Sequence, residues 1–172
     1  MPSISTLYRR HPGVTRSIAQ GYAEALSVSL ARHGTPPCEL EARVNDGVDR
    51  LRLDWRLPEP KVLRAWANEI DTTEAAAYGV ALGVIERQLG LVAVARARSL
   101  TGADYYVSPR GAGFGLEAAS KLEVSGIDSG APREIRARLH AKLKQVVAYG
   151  TPARAFACVV AFRALLVLLR EA

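Results

Sequence analysis

The chain has 172 residues, 49% of them apolar and 23% charged, enough to bury one hydrophobic core and too apolar for a disordered segment. Its formal net charge of +6 suits a polyanionic partner but bears on partners and solubility rather than fold. Two cysteines, Cys38 and Cys158, lie far apart and outside any metal-ligand spacing, which excludes a disulfide framework and reads as reduced thiols of a cytoplasmic protein.

The residues behind Arg9, Arg10 and His11 form no apolar run, so no signal peptide is legible. With Pro2, Pro12 and Gly13, residues 1–13 read as a loosely ordered arm. Thr15 is placed to cap a helix running to about Arg32, with Ile18, Tyr22, Ala25, Leu26 and Leu30 on one face. Gly34 and Pro36-Pro37 end it. Two alternating runs follow, 39–44 and 48–57, joined by Asn45-Asp46-Gly47, a strong hairpin signal. Arg50 and Arg52 give this hairpin a basic face, either solvated or in contact with nucleic-acid phosphates.

Pro58 and Pro60 break the second strand, and 61–69 reads as a short helix with Val62, Leu63 and Trp66 turned inward. Asp71-Thr72-Thr73-Glu74 has the form of a capping box. It opens an Ala-rich helix with Tyr78, Ala81, Leu82, Ile85 and Leu89 at helical spacing, ended by Gly90. Residues 91–98 alternate as a strand at their end, with a helical continuation as the other reading, and a turn at 99–102 leads to a second strand around Asp104. The glycines at 111, 113 and 115 lack the following helix that a dinucleotide loop requires, so that reading is rejected. A third strand covers 121–125, then a turn at 127–130. Pro132 opens a helix running to Tyr149 and closed by Gly150. On that helix Arg138, Lys142 and Gln145 share a flank at i, i+4 and i+7. The apolar runs 156–162 and 165–169 read as buried strands. The stretch 155–169 contains Arg163 and is too short to span a bilayer, so no membrane association is expected. His11, His33 and His140 show no ligand spacing.

Asp104 and Glu123 each sit among apolar neighbours on short strands. If those strands pair, the two carboxylates point into one space, an arrangement that suits a hard divalent cation. From residue 71 the chain reads helix, three strands, helix, strand, which implies an α/β fold: a mixed central sheet flanked by helices.

This order resembles the PD-(D/E)xK nuclease superfamily of restriction endonucleases and Holliday junction resolvases. The resemblance covers 71–172, with 1–70 as an extension, a helix and basic hairpin packed on the core. It implies an αβββαβ core, in which Glu74 looks like the first-helix acid, Asp104 the strand acid and Glu123 the acid of the third-strand motif. Gln145 is similar to a glutamine found on the next helix of resolvase-like members. The motif lysine is absent: Ser125 stands two residues after Glu123, and serine cannot replace its charge. Lys121 on the same strand face and Lys142 on the following helix are the candidate substitutes. The resemblance further implies action on DNA, Mg²⁺ or Mn²⁺ held by Asp104 and Glu123, and a homodimer; Arg50 and Arg52 of the basic hairpin and Arg138 are the candidate nucleic-acid contacts. The competing reading is an inactive protein of the same fold that binds nucleic acid or another protein.

Overall fold

The computed structural model describes residues 1, 3–112, 116, 118–148 and 154–172. A 3-10 turn, Ile4–Arg9, leads into α1 (Arg16–Ala31), the hairpin of β1 (Cys38–Val44) and β2 (Gly47–Leu53), and a short α2 (Pro60–Ala65). There follow α3 (Glu69–Leu89), β3 (Leu91–Arg96), β4 (Tyr105–Pro109), β5 (Ser120–Ile127), α4 (Pro132–Ala148), β6 (Ala155–Ala161) and β7 (Leu166–Glu171). The glycines at 113 and 115, and the helix stop expected at Tyr149-Gly150, lie outside the described residues.

The strands form one mixed sheet in the order β2-β1-β7-β6-β5-β4-β3, so the α/β reading holds. β3, β4 and β5 are an antiparallel meander. The chain then crosses over through α4 to lay β6 parallel to β5, and β7 returns antiparallel. The N-terminal hairpin extends this sheet, because β1 pairs parallel with β7 from Glu41↔Leu166 to Val44↔Leu169.

Side-chain alternation sorts the sheet into two faces. On one, Leu40, Leu51, Leu53, Tyr105, Val107, Leu122, Val124, Phe156 and Cys158 pack with residues of α1 and α3 into the main core. On the other, Ile135 of α4 closes over Val159, Ala161 and Leu168. α3 can lie close on the sheet because position 126 is glycine: a Cβ there would come within 2.8 Å of the Thr73 Cγ2 and overlap the Thr73 carbonyl. Both cysteines are free, and burial pushes the Cys158 thiol up to about 12. Among the described residues no helix is long and apolar enough to cross a membrane.

Several boundaries differ from expectation for identifiable reasons. The N-terminal arm is not loose: Ile4 and Leu7 insert into the main core. The buried His11 accepts the Ala93 amide on Nδ1 at 3.0 Å and meets Glu86 at 3.1 Å. α3 starts ahead of the expected capping box, because the Asn68 side chain accepts from the Ile70 and Asp71 amides. Asp71 therefore sits in the first turn rather than at the cap. β2 stops at Leu53, leaving Leu57 exposed. α2 ends at Ala65, and its Leu63 is 46% exposed rather than buried.

Candidate functional site

The site forms where β4 and β5 run side by side between α3 and α4. The antiparallel register pairs Tyr105 with Leu122. Asp104, one residue before β4, continues the ladder by donating its amide to the Leu122 carbonyl at 2.9 Å. Extending that register by one residue sets Asp104 opposite Glu123, and both line a cavity of about 410 Å³ together with Arg96, Arg98 and Gln145. The pairing anticipated from strand alternation is thus present.

Each acid is held by different elements. Asp104 Oδ2 accepts the Val124 amide at 2.8 Å, and its Oδ1 accepts from the Tyr78 hydroxyl at 2.9 Å. Arg96 reaches the same oxygen at 3.5 Å, its guanidinium 4.1 Å from the Tyr78 ring centroid and 4.7 Å from that of Tyr105. Such cation–π contacts fix the orientation of the guanidinium plane. Glu123 points to the α4 side of β5, only 5% of its side chain exposed, and accepts from Lys142 Nζ at 2.5 Å. Burial raises the Glu123 pKa and the neighbouring Asp104 carboxylate raises it further, against the hydrogen bond from Lys142.

Of the two lysines weighed as substitutes, Lys142 joins the acids. It also donates to Gln145 Oε1 at 3.1 Å, so the i, i+3 spacing on α4 presents both to Glu123. Lys121, buried on the same strand, donates to the Thr101 carbonyl at 3.1 Å. Ser125, in the position where the resemblance calls for lysine, accepts from Arg138 at 3.1 Å. Arg138 and Lys142 line a second cavity of about 540 Å³ with Glu74 and Ser125. Glu74 is linked to Asp104 indirectly, through the Tyr78 hydroxyl, 2.5 Å from Glu74 Oε1.

Arg50 and Arg52 are not part of this assembly. They lie on β2, at the far edge of the sheet with β1, β7 and β6 between them and β5, about 20 Å away at the usual strand spacing. Glu41 and Glu39 face them directly across the hairpin, so this surface is of mixed charge. Tyr78 and Arg96 are site residues that sequence reasoning missed. Tyr78 stands at i+4 from Glu74, a spacing that places both on one helix face; nothing in the spacing of Arg96 connects it to Asp104.

Two carboxylates side by side, one of them with a raised pKa, make a place that favours a cation. Their oxygen donors fit Mg²⁺ or Mn²⁺, which keeps several waters when few side chains bind it. Among the described residues no group of three or more His, Cys, Asp or Glu side chains is placed to hold a metal ion. No protein-family model, curated protein or solved structure matches the chain.

Proposed function

We propose that the chain is a PD-(D/E)xK-like, metal-dependent hydrolase of DNA phosphodiesters in which Lys142 takes the part of the missing motif lysine. The observation that carries this reading is the Lys142 ammonium 2.5 Å from Glu123, presented by α4 on the face of the sheet to which Glu123 points. The order α3-β3-β4-β5-α4-β6, with β5 and β6 parallel, supports it.

Asp104 and Glu123 would hold Mg²⁺ or Mn²⁺, which when bound polarises a phosphoryl oxygen and lowers the pKa of bound water. The protein's own part is positioning and charge. Val124, Tyr78 and Arg96 fix the Asp104 carboxylate. Glu123 and Gln145 hold two of the three Lys142 hydrogens, leaving the third for a non-bridging phosphate oxygen or the attacking water. Attack by water forms the new P–O bond and releases a proton to solvent water; the P–O bond to the leaving oxygen breaks, and that alkoxide takes a proton from solvent water. A single fixed ammonium beside the developing charge suits this step.

Ser125 favours the competing reading of a non-catalytic binder, since it has been recruited by Arg138 rather than by the acids. Cleavage of plasmid and branched DNA in Mg²⁺ or Mn²⁺ separates the two. Activity in the wild type, reduced about 100-fold or more in Asp104→Ala and Glu123→Ala, supports hydrolysis at this site. Cleavage that survives unchanged in both variants would remove it from this site.

A further inference from the structure

Charge is distributed unevenly over this molecule. α4 carries Arg133, Arg136, Arg138, Lys142 and Lys144 against the single acid Glu134, a net +4 of the chain's +6. Elsewhere many arginines meet acids, Arg10 and Arg110 at Glu86, Arg32 at Asp128, Arg43 at Glu41 and Arg52 at Asp54. Arg96, Arg154 and Arg170 likewise meet Asp104, Glu171 and Asp46. Those without an ion pair to a described residue, such as Arg16, Arg50, Arg64, Arg98 and Arg163, are scattered singly over separate elements and loops. Among the described residues α4 makes one ion pair, Lys142–Glu123. Its one acid is turned back to accept the Ala131 amide at the start of the helix. Arg133, Arg136 and Lys144 are exposed and make no ion pair with a described residue.

The spacing of these residues is regular. At about 100° per residue, Arg133, Arg136, His140 and Lys144 fall along one side of α4, and Arg138, Lys142 and Gln145 along the other. Ile135, Leu139 and Val146 form the stripe between them that faces the sheet. The outward crown between the two rows includes the small residues Ala137 and Ala141, both exposed, so no bulky side chain shields the charges. From Arg133 to Lys144 the first row is about 16 Å long, at about 1.5 Å per residue, a span over which duplex DNA presents roughly ten phosphates. The second row ends at Glu123 and the two cavities. A membrane-binding helix would carry a row of large apolar residues toward the lipid, whereas among the described residues of this face Val147, past the end of the basic row, is the one exposed, and arginine suits bidentate contact with phosphate.

We propose that the exposed face of α4 is the docking surface for a nucleic-acid phosphodiester backbone, delivering a strand to the Lys142–Glu123 edge. The choice of nucleic acid as the polyanion rests on the hydrolase reading above. The hairpin arginines Arg50 and Arg52 are then spectators.

The test is the salt dependence of binding to a fluorescent duplex of about 20 base pairs, between about 50 and 200 mM salt, where counterion release sets the slope. The proteins are wild type, the triple variant Arg133→Gln/Arg136→Gln/Lys144→Gln, and Arg50→Gln/Arg52→Gln, each checked for unchanged circular dichroism. The triple variant should lose at least about tenfold in affinity and about 2 to 3 from the log–log slope, at roughly 0.9 per phosphate contact. The hairpin variant should stay near wild type. Hydrolysis of bis(p-nitrophenyl) phosphate in Mn²⁺, which needs no docking surface, should be equal in wild type and the triple variant. An unchanged slope in the triple variant, a loss confined to the hairpin variant, or a wild type that binds phosphatidylserine vesicles but not DNA would each overturn the proposal. If no protein hydrolyses the small ester, the hydrolase reading falls while the binding series still decides the surface.

Discussion

At Glu123 a buried carboxylate is contested by a neighbouring acid, Asp104, and an ammonium, Lys142. A divalent cation would enter this balance as a competitor of Lys142, which separates binding from chemistry. Lys142→Ala should bind Mn²⁺ at least as tightly as wild type by isothermal titration while losing cleavage. Glu123→Gln should weaken Mn²⁺ binding about tenfold or more, since one of two charged oxygen ligands is gone. Tighter Mn²⁺ binding in Glu123→Gln would show that the acid pair is not the ligand set. Much of this was legible in the chain: alternation along two short strands sufficed to set Asp104 against Glu123. The choice of Lys142 over Lys121 was not, because it depends on how α4 packs on the sheet, a tertiary quantity with no local signal. Tyr78 lay in plain view at helical spacing from Glu74, but its hydroxyl was hidden by the apolar role of its ring.

The elements are held by a few close approaches, and two of them yield measurements. Gly126→Ala would drive a methyl group into the Thr73 carbonyl and its Cγ2, forcing α3 off β5. Overpacking of this kind costs about 1–3 kcal/mol, and backbone on the far side places this case at the upper end; the urea midpoint should fall accordingly. The second concerns the N-terminal arm. Burial lowers the His11 pKa from its ordinary 6.5, against the pull of Glu86. Burial would raise Glu86, but hydrogen bonds from Arg10 and His11 outweigh it and hold the carboxyl below 4.5. Folding therefore favours neutral imidazole and ionised carboxylate. The stability these groups contribute is present above the unfolded values and is lost as pH falls through the folded ones. Urea stability should decline on acidification below about pH 6.5, and the Ala93 amide, bonded to His11 Nδ1, should lose hydrogen-exchange protection over the same range. A flat profile from pH 7 to 4 would contradict this. Neither contact was visible in the sequence: the prolines and glycine near residue 12 suggested a loose arm because the partners of His11 lie more than seventy residues away. The misplaced helix start has a nearer cause, since Asn68 and Asp71 are both competent caps and it is the Asn68 side chain that accepts the first-turn amides.

For the molecule as a whole, the order of elements from residue 71 carried most of the architecture, since hydrophobic period alone separates helices from strands. What it could not supply was the parallel pairing of β1 with β7, a non-local contact that joins the N-terminal hairpin to the sheet edge and keeps Arg50 and Arg52 away from the acids. Net charge, likewise, was readable as a sum but not as a distribution; α4 alone gathers five basic residues against one acid on a single element. These features converge on one claim, that Lys142 completes a phosphodiesterase site in place of the lysine missing at Ser125. The most direct measurement is the rate of supercoiled plasmid cleavage in Mg²⁺ by wild type, Lys142→Ala and Ser125→Ala under matched conditions. The account predicts a loss of about 100-fold or more for Lys142→Ala and a rate within a few-fold of wild type for Ser125→Ala. Equal rates in wild type and Lys142→Ala, or no cleavage by any of the three, would contradict it.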